Sequence, residues 1–482
     1  PHDHDLHGRP SGVLRRPPTV FPPVTQIKTG RTDLASCHRL HNQASDRSEN
    51  DEHNERLRSV SEELELTVTE PAHGGWCVAR IAGVCGEGDA GGAADGPGKV
   101  VFVRHALPGE RIRARITSST ARFARAEAIE VLDASPDRVE PPCRYARPGG
   151  CGGCDLQHAS PAAQRAIKAQ VISQQLRRMA GIDREVKVEA LPPAANVAEV
   201  ASGAGEDENL GWRTRVGFAV RPDGTAGLRK HRSREVIAID DCLIAHAAVR
   251  EAGVPQRRWP GARGVDVSVA AGTGERSVVV TGRGGPGPES RRFVTQQAAG
   301  RTWRVSSGVF WQVHPAAADT LTEAVLGALR PAPGDVALDL YCGAGLFAGA
   351  LAGAVGASGQ VIGVESEVAA VRDARKNLAG FPQARIHRGD AVGVLEQHGL
   401  GEASLAVLDP PRAGVPRQLI ELVGGQFSRL RRIAYVSCDP ATLARDIAVF
   451  AELNWRVDDL RAFDAFPMTH HVECLATLVP AS

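Results

Sequence analysis

Cys438 is the residue best placed for covalent chemistry. It follows the apolar, strand-like run Ile433-Ala-Tyr-Val-Ser437 and precedes Asp439-Pro-Ala-Thr-Leu-Ala-Arg-Asp446, which starts a helix. A thiol at the C-terminal end of such a strand opens onto the crevice where α/β sheets bind ligands. The adjoining helix start is expected to lower its pKa and so raise the thiolate fraction. A lone cysteine is more often a small core hydrophobe; it is the position that argues for reactivity. Glu473, in Thr469-His-His-Val-Glu473, is the candidate partner base, although spacing alone allows a plain surface carboxylate. Leu408-Asp-Pro-Pro-Arg412 ends another strand abruptly. Its prolines donate no N–H, which leaves carbonyls free to face a substrate.

A thiolate with a separate base suits methylation at carbon 5 of a pyrimidine. That carbon is a poor nucleophile until a thiolate adds to C6 and makes the ring an enolate. C5 can then attack an electrophilic methyl group, lose its proton to the base, and expel the thiolate by β-elimination. Acidic-Pro-Pro loops also serve amino methylation, where an aromatic usually follows. Arg412-Ala-Gly414 follows in this chain, which argues against an adenine-amino target.

Asp339-Leu-Tyr-Cys-Gly-Ala-Gly345 lies where a strand becomes a helix. Gly343 and Gly345 allow a tight turn and close approach to a ligand. The third glycine of a dinucleotide motif is replaced by Ala348, and Leu346-Phe347 follows Gly345 where a pyrophosphate would want glycine. That favours S-adenosylmethionine, which has no phosphate. Glu365, at the end of the next strand and about 20 residues on, is placed to take both hydroxyls of a ribose. Asp390, after Ala384-Arg-Ile-His387, is placed to reach the adenine.

The positioning elements follow from patterning. From about residue 316 strands alternate with helices, which implies a parallel sheet with helices on both faces. Residues 62–132 hold several short strands and turns, as in a small barrel. In Arg111-Ile-Arg-Ala-Arg115 the arginines share one face, which suits RNA backbone contact or a plain solvated strand. Pro161 to Ala180 reads as a helix with proline in its first turn, and Pro192 to Asn209 as a variable loop. Arg213-Thr-Arg-Val-Gly-Phe218 and Leu228-Arg-Lys-His-Arg-Ser-Arg234 form a basic stretch near Trp212 and Phe218, suited to phosphate contact and base stacking.

In 482 residues with a net charge of +1, any case for nucleic acid must be local. No stretch approaches the roughly 20 apolar residues of a membrane span. Residues 1–58 are polar and lack the apolar run of a signal peptide, so a disordered tail and a cytoplasmic protein are expected. Ten cysteines in a chain without a secretion signal favour metal or catalytic roles over disulfides. Cys151-Gly-Gly-Cys154 is a tight, ligand-like pair. Cys37, Cys77, Cys85, Cys342 and Cys474 receive no role.

Together these motifs resemble the RNA 5-methyluridine (uracil-C5) methyltransferases. The likeness rests on Asp339 to Gly345, Leu408 to Gly414, Val436 to Asp446 and Phe466 to Glu473, in family order, and runs from about residue 62 to the end. It implies an α/β, Rossmann-like class I methyltransferase domain at 311–482, behind a mixed α+β central domain at 136–310. Residues 59–135 resemble an OB-like TRAM barrel, through Gly98-Lys-Val-Val-Phe-Val103 and Leu107-Pro-Gly-Glu110. By the resemblance, Cys438 is the nucleophile and Glu473 the base. Phe310-Trp-Gln312 is similar to the family's Phe-Phe-Gln, so Gln312 joins Tyr341, Gly343, Gly345, Leu346, Glu365, Asp390 and Asp409 at the cofactor. Cys143, Cys151, Cys154 and Cys242 match the ligands of a [4Fe–4S] cluster in one branch, with seven residues between the first two in place of the usual five and Arg147-Pro-Gly-Gly150 as a short insertion. Members with both a TRAM domain and a cluster often modify 23S ribosomal RNA, which implies that substrate for a monomer acting on RNA and not DNA. Transfer RNA, a cytosine-C5 target, a small-molecule target and a catalytically dead RNA binder are the alternatives.

Overall fold

The computed structural model describes residues 62–81, 98–193, 209–282, 291–398, 402–426 and 428–481. The expected tail, with Cys37, lies outside the described residues, as do Cys85 and most of the loop expected after Pro192.

Alternation of small apolar and polar residues builds the N-terminal barrel. Strands β1 (Glu63–Ala72), β2 (Trp76–Arg80), β3 (Val100–Arg104), β4 (Arg111–Ser119) and β5 (Phe123–Asp133) close in the order β1-β2-β3-β5-β4. Val68, Val101, Val103, Ile112, Ala114 and Ala126 fill its interior. The arginine face of β4 is not a free cationic surface. Arg111 pairs with Glu65 and Asp133, Arg113 with Glu130, and Arg115 with Glu63, all on the flanking strands. Acidic residues facing those arginines across the ladder neutralise the stripe, and the solvated-face reading holds.

Helix α1 (Pro161–Gln175) starts at Ser160, whose hydroxyl caps the Ala163 N–H, and ends in a short π turn, Leu176–Ala180. Strands β6 (Val188–Ala190), β7 (Arg215–Val220), β8 (Ala226–Arg229), β9 (Val236–Ala238), β10 (Ala262–Val269) and β11 (Arg276–Gly282) come next. All but β6 form a five-stranded sheet in the order β11-β10-β7-β8-β9. Trp212 and Phe218, expected to stack on bases, are core residues at 2% and 4% exposure. Period-two burial turns Phe218 inward, and Trp212 packs with Ile244 and Met468. A hairpin of β12 (Phe293–Ala298) and β13 (Arg301–Ser306) leads into the last region.

There, β14 (Val336–Leu340), β15 (Gln360–Glu365), β16 (Ala384–Arg388), β17 (Leu405–Leu408) and β18 (Arg432–Ser437) run parallel. Their near-continuous burial is the mark of a sheet covered on both faces. Helices α2 (Ala317–Leu329), α3 (Leu346–Val355), α4 (Val368–Asn377), α5 (Ala391–His398), α6 (Arg417–Gln426) and α7 (Pro440–Glu452) alternate with the strands. The sheet is not wholly parallel as expected. Strands β19 (Trp455–Asp464) and β20 (Glu473–Pro480) form a hairpin, so β20 enters antiparallel beside β18. Its short connection cannot make the crossover that a parallel strand needs. Strand β6 extends the sheet, whose order is β16-β15-β14-β17-β18-β20-β19-β6.

Candidate active site

The antiparallel return of β20 assembles the reactive pair. Ser437 of β18 lies opposite Cys474 of β20 at the end of the ladder; Cys438 follows the first and Glu473 precedes the second, and the two are close enough for the Glu473 charge to act on the thiol. Asp409, at the end of β17, and Arg412, in the loop after it, complete the cluster: both carry charges felt by Cys438 and by Glu473. Arg412 also hydrogen-bonds His471 through Nη2 and Nε2 at 3.0 Å.

The thiol is not lowered by the helix start, contrary to expectation. Burial pushes Cys438 up to about 12, the Glu473 charge adds to the rise, and Arg412 opposes it. The helix terminus has another client. The Asp439 carboxylate accepts from the N–H groups of Ala441 and Thr442 at 3.0 Å each, as an N-cap. An anion already sits where the thiolate would have drawn stabilisation. Glu473 is 4% exposed. Burial holds its carboxyl well above the usual range, with Asp409 adding to the rise and Arg412 opposing it. Burial likewise brings Asp409 up to about 7. Before substrate arrives at neutral pH, Cys438 is a thiol, and burial favours the protonated form of Glu473. Arg412 is the cation that favours the thiolate, a role that the sequence reading missed. Its signal was available: Arg412 lies three residues after Asp409 at the same strand end.

The cofactor half gathers at the ends of β14 and β15. Gly345 caps α3 with φ +94°, and a Cβ there would stand 3.3 Å from Leu378 and 3.4 Å from Ala374. Leu346, buried, begins the helix. Asp339 Oδ2 accepts from the Ala348 N–H at 2.7 Å, while its buried Oδ1 has no partner among the described residues. Burial raises Asp339 to about 8, with Asp409 and Glu365 adding to the rise. Glu365 Oε2 accepts from the Gly343 N–H at 3.0 Å, which ties the β15 end to the glycine turn. Tyr341 takes φ +69° at the same turn. These groups suit S-adenosylmethionine: glycines clear a concave turn, and carboxylates of adjacent strand ends flank it. Asp390 caps α5 through the Gly393 N–H at 2.8 Å and lies within electrostatic reach of Tyr341. Buried Gln312 lines a cavity of about 350 Å³ with Thr214, Arg215, Gln296 and Ser306.

Cys143, Cys151, Cys154 and Cys242 all line one cavity of about 400 Å³. All four are free thiols. The chain turns between Cys143 and Cys151, where the Cys151 N–H donates to the Tyr145 carbonyl at 2.9 Å. Burial raises Cys151, Cys154 and, to about 11, Cys242, and neighbouring thiols add to each rise. The donor set suits a soft cationic centre, and the Gly153 N–H contacts the Cys151 sulfur at 3.4 Å. As the side chains stand, no group of three or more His, Cys, Asp or Glu among the described residues is arranged to hold a single metal ion. Gly152 packs on the basic hairpin, where a Cβ would meet the His231 N–H nitrogen at 2.4 Å. His231 and Arg232 in turn sit against Trp76 of the barrel.

Comparison with known proteins agrees with this geometry. Residues 399–479 match the tRNA (Uracil-5-)-methyltransferase family and residues 58–129 the TRAM domain. An uncharacterized RNA methyltransferase of Streptomyces avermitilis is 48% identical over 450 residues, 88% of this chain and 99% of the relative. The 23S rRNA (uracil(1939)-C(5))-methyltransferase RlmD of Pseudomonas putida is 33% identical over 434 residues, 81% of this chain and 91% of its own. In fold, the chain is similar to the tRNA (uracil-54, C5)-methyltransferase of Pyrococcus abyssi crystallised with S-adenosyl-L-homocysteine (TM-score 0.59, 23% identity, 79% of this chain and 96% of that one). No helix among the described residues is long and apolar enough to cross a membrane. With its barrel, its methyltransferase sheet and relatives aligned over most of its length, the chain belongs to the RNA (uracil-5-)-methyltransferase family and is an S-adenosylmethionine-dependent enzyme with a TRAM domain.

Proposed function

We propose that this chain makes 5-methyluridine in 23S ribosomal RNA by covalent catalysis through Cys438. The observation that carries the mechanism is the meeting of Cys438 and Glu473 at the end of the β18–β20 ladder, where the Glu473 charge acts on the thiol. The Cys438 thiol gives its proton to solvent, and the Sγ thiolate, favoured by Arg412, adds to C6 of a flipped uridine while the ring electrons move to the O4 enolate. S-adenosylmethionine supplies the electrophilic methyl group that C5 takes. The ionised Glu473 carboxylate then removes the C5 proton, the C5–C6 double bond re-forms, and the Cys438 thiolate leaves. A protonated Glu473 gives its proton to solvent first, and the loss of bulk water that raises it also makes it a stronger base once ionised.

Gln312, Tyr341, Gly343, Gly345, Leu346, Glu365, Asp390 and Asp409 would hold the cofactor. Cys143, Cys151, Cys154 and Cys242 would hold a [4Fe–4S] cluster, supported by their shared cavity and soft donor set. With four protein thiolates it would have no open site, so its task is to fix the cysteine loop and the basic hairpin. Ribosomal RNA is supported by the P. putida relative. We assign RNA grip to residues 59–135 and 136–310 and chemistry to 311–482.

The test is mass spectrometry after incubation with S-adenosylmethionine and RNA bearing 5-fluorouridine, whose C5 fluorine cannot leave as a proton does. A stable adduct absent in Cys438→Ala supports the mechanism, and digestion locates the target in ribosomal or transfer RNA. No adduct, with cofactor and RNA shown to be bound, would remove Cys438 as nucleophile.

A further inference from the structure

The barrel reaches the nucleophile. Its β1–β2 turn, Ala72-His-Gly-Gly75, walls a cavity of about 410 Å³ together with Cys438, Asp439, Lys168, His470 and His471. His73 Nε2–H donates to Asp439 Oδ2 at 3.1 Å. Asp439 directly follows Cys438, and its other carboxylate oxygen, Oδ1, caps α7. One carboxylate is thus held from two sides, by the helix it caps and by the barrel. Burial alone would raise Asp439, but the His73 hydrogen bond and the two backbone N–H groups outweigh it and bring it to about 2. It stays a full anion for both contacts at any working pH.

The turn is seated as well as close. A Cβ on Gly75 would stand 2.7 Å from the Asp155 Cβ, so only glycine lets the turn come down onto this residue. Asp155 is buried and holds both sides of the junction. Its Oδ1 accepts from Arg104 Nη2 of the barrel at 3.1 Å, and its Oδ2 contacts His470 Nδ1 of the catalytic loop at 2.5 Å. Asp155 and Leu156 also donate through their N–H groups to the Met468 carbonyl. The turn carrying His73 therefore has a fixed seat on the loop that leads to Glu473.

We propose that His73 is a positioning residue for the methyl-transfer reaction: the TRAM barrel, through its β1–β2 turn, holds Asp439 and with it the backbone that presents Cys438 to the uridine. This rests on Cys438 being the nucleophile. The barrel then does more than tether RNA; it completes the wall beside the reacting thiol. His73 acts through Asp439, so its loss should slow the chemical step and leave RNA affinity nearly intact. A residue that only gripped RNA would show the reverse. The side chain is 38% exposed, so its replacement leaves no core cavity.

The experiment measures adduct formation on 5-fluorouridine RNA and single-turnover methyl transfer on normal RNA, both at saturating RNA, in the full-length protein. His73→Ala should slow both by about tenfold, with RNA Kd changed less than about twofold. His73→Gln, which keeps a donor near Nε2, should recover most of the rate. In an Asp439→Asn background, His73→Ala should have little further effect. A wild-type adduct with His73→Ala equally fast, or a change confined to Kd, overturns this inference alone. Absence of an adduct from the wild type overturns the reading beneath it, and this inference falls with it. A thermal melt matching the wild type shows that each variant is folded.

Discussion

The molecule sets half-buried thiols in two places, and they are raised for partly different reasons. Burial is the largest cause at both Cys438 and the cysteine-lined cavity. The companions differ. Cys438 has a carboxyl group, Glu473, on one side and a guanidinium, Arg412, on the other. Cys151, Cys154 and Cys242 have one another and Cys143, with the Arg213 guanidinium opposing the rise at Cys151 and Cys242 and no carboxylate among the described residues acting as a partner base. A lone thiol between a base and a cation can lose its proton when an electrophilic ring arrives, and regain it when the ring leaves. Several thiols that repel as thiolates need a permanent multivalent cation to discharge them together. Desolvation sets the resting state in both; the neighbours decide which partner ends it.

Cys438→Ala tests the first half of that contrast most severely. Methyl transfer should fall on the order of 10⁴-fold or more, because no other group supplies the C6 bond. Activity retained within tenfold, measured by labelled methyl incorporation, would erase the distinction between the two thiol sites. Glu473→Gln should come next, lowering turnover by about 10²- to 10⁴-fold while still permitting the bond from Cys438 to C6. A methylated, covalently bound RNA accumulating in that variant is the expected observation; rapid release would assign the base elsewhere.

For the second half, protein purified anaerobically should carry iron and sulfide, and Cys154→Ser should lose both along with several degrees of melting temperature. Zinc in place of iron would keep the four-thiolate site and change its occupant. Cys438 should stay reactive toward iodoacetamide in Cys154→Ser, since the two sites differ in their neighbours. The alkylation rate of Cys438 itself should climb with pH through 9 and 10 without a plateau, because its pKa is near 12. Arg412→Ala should slow it about tenfold at a fixed pH, as the opposing cation is lost.

The smallest effect is on stability. Glu473 is raised on folding, so the stability tied to its proton is fully present below about pH 4.5 and is lost as pH climbs through the folded value. Glu473→Gln, which has no proton to lose, should melt near the wild type at pH 5 and above it at pH 8. An unchanged gap between the two pH values would mean that Glu473 is ionised in the free protein.

Much of the site was legible because strand ends announce themselves. Asp339, Asp409 and Cys438 each follow a short apolar run, and parallel sheets place such ends along one edge. Gly343 and Gly345 were legible because both take positive φ in the turn that opens α3, a region that favours glycine. The four cysteines were marked as a set by likeness to a family, and the cavity they share is a tertiary fact.

What the sequence by itself determined is the set of chemical groups and the local elements that carry them: periodicity and turn chemistry act over a few residues, and those signals survive in a linear string. Only the tertiary structure decided their company. The return of β20 beside β18 put Glu473 next to Cys438, Asp439 occupied the helix end that the thiol was expected to use, and acids on β1 and β5 cancelled the arginines of β4. The barrel's His73, 366 residues from Asp439 in the chain, reached the catalytic loop. Desolvation and charge pairing depend on distance in space, and no spacing along the chain encodes a contact between residues that far apart.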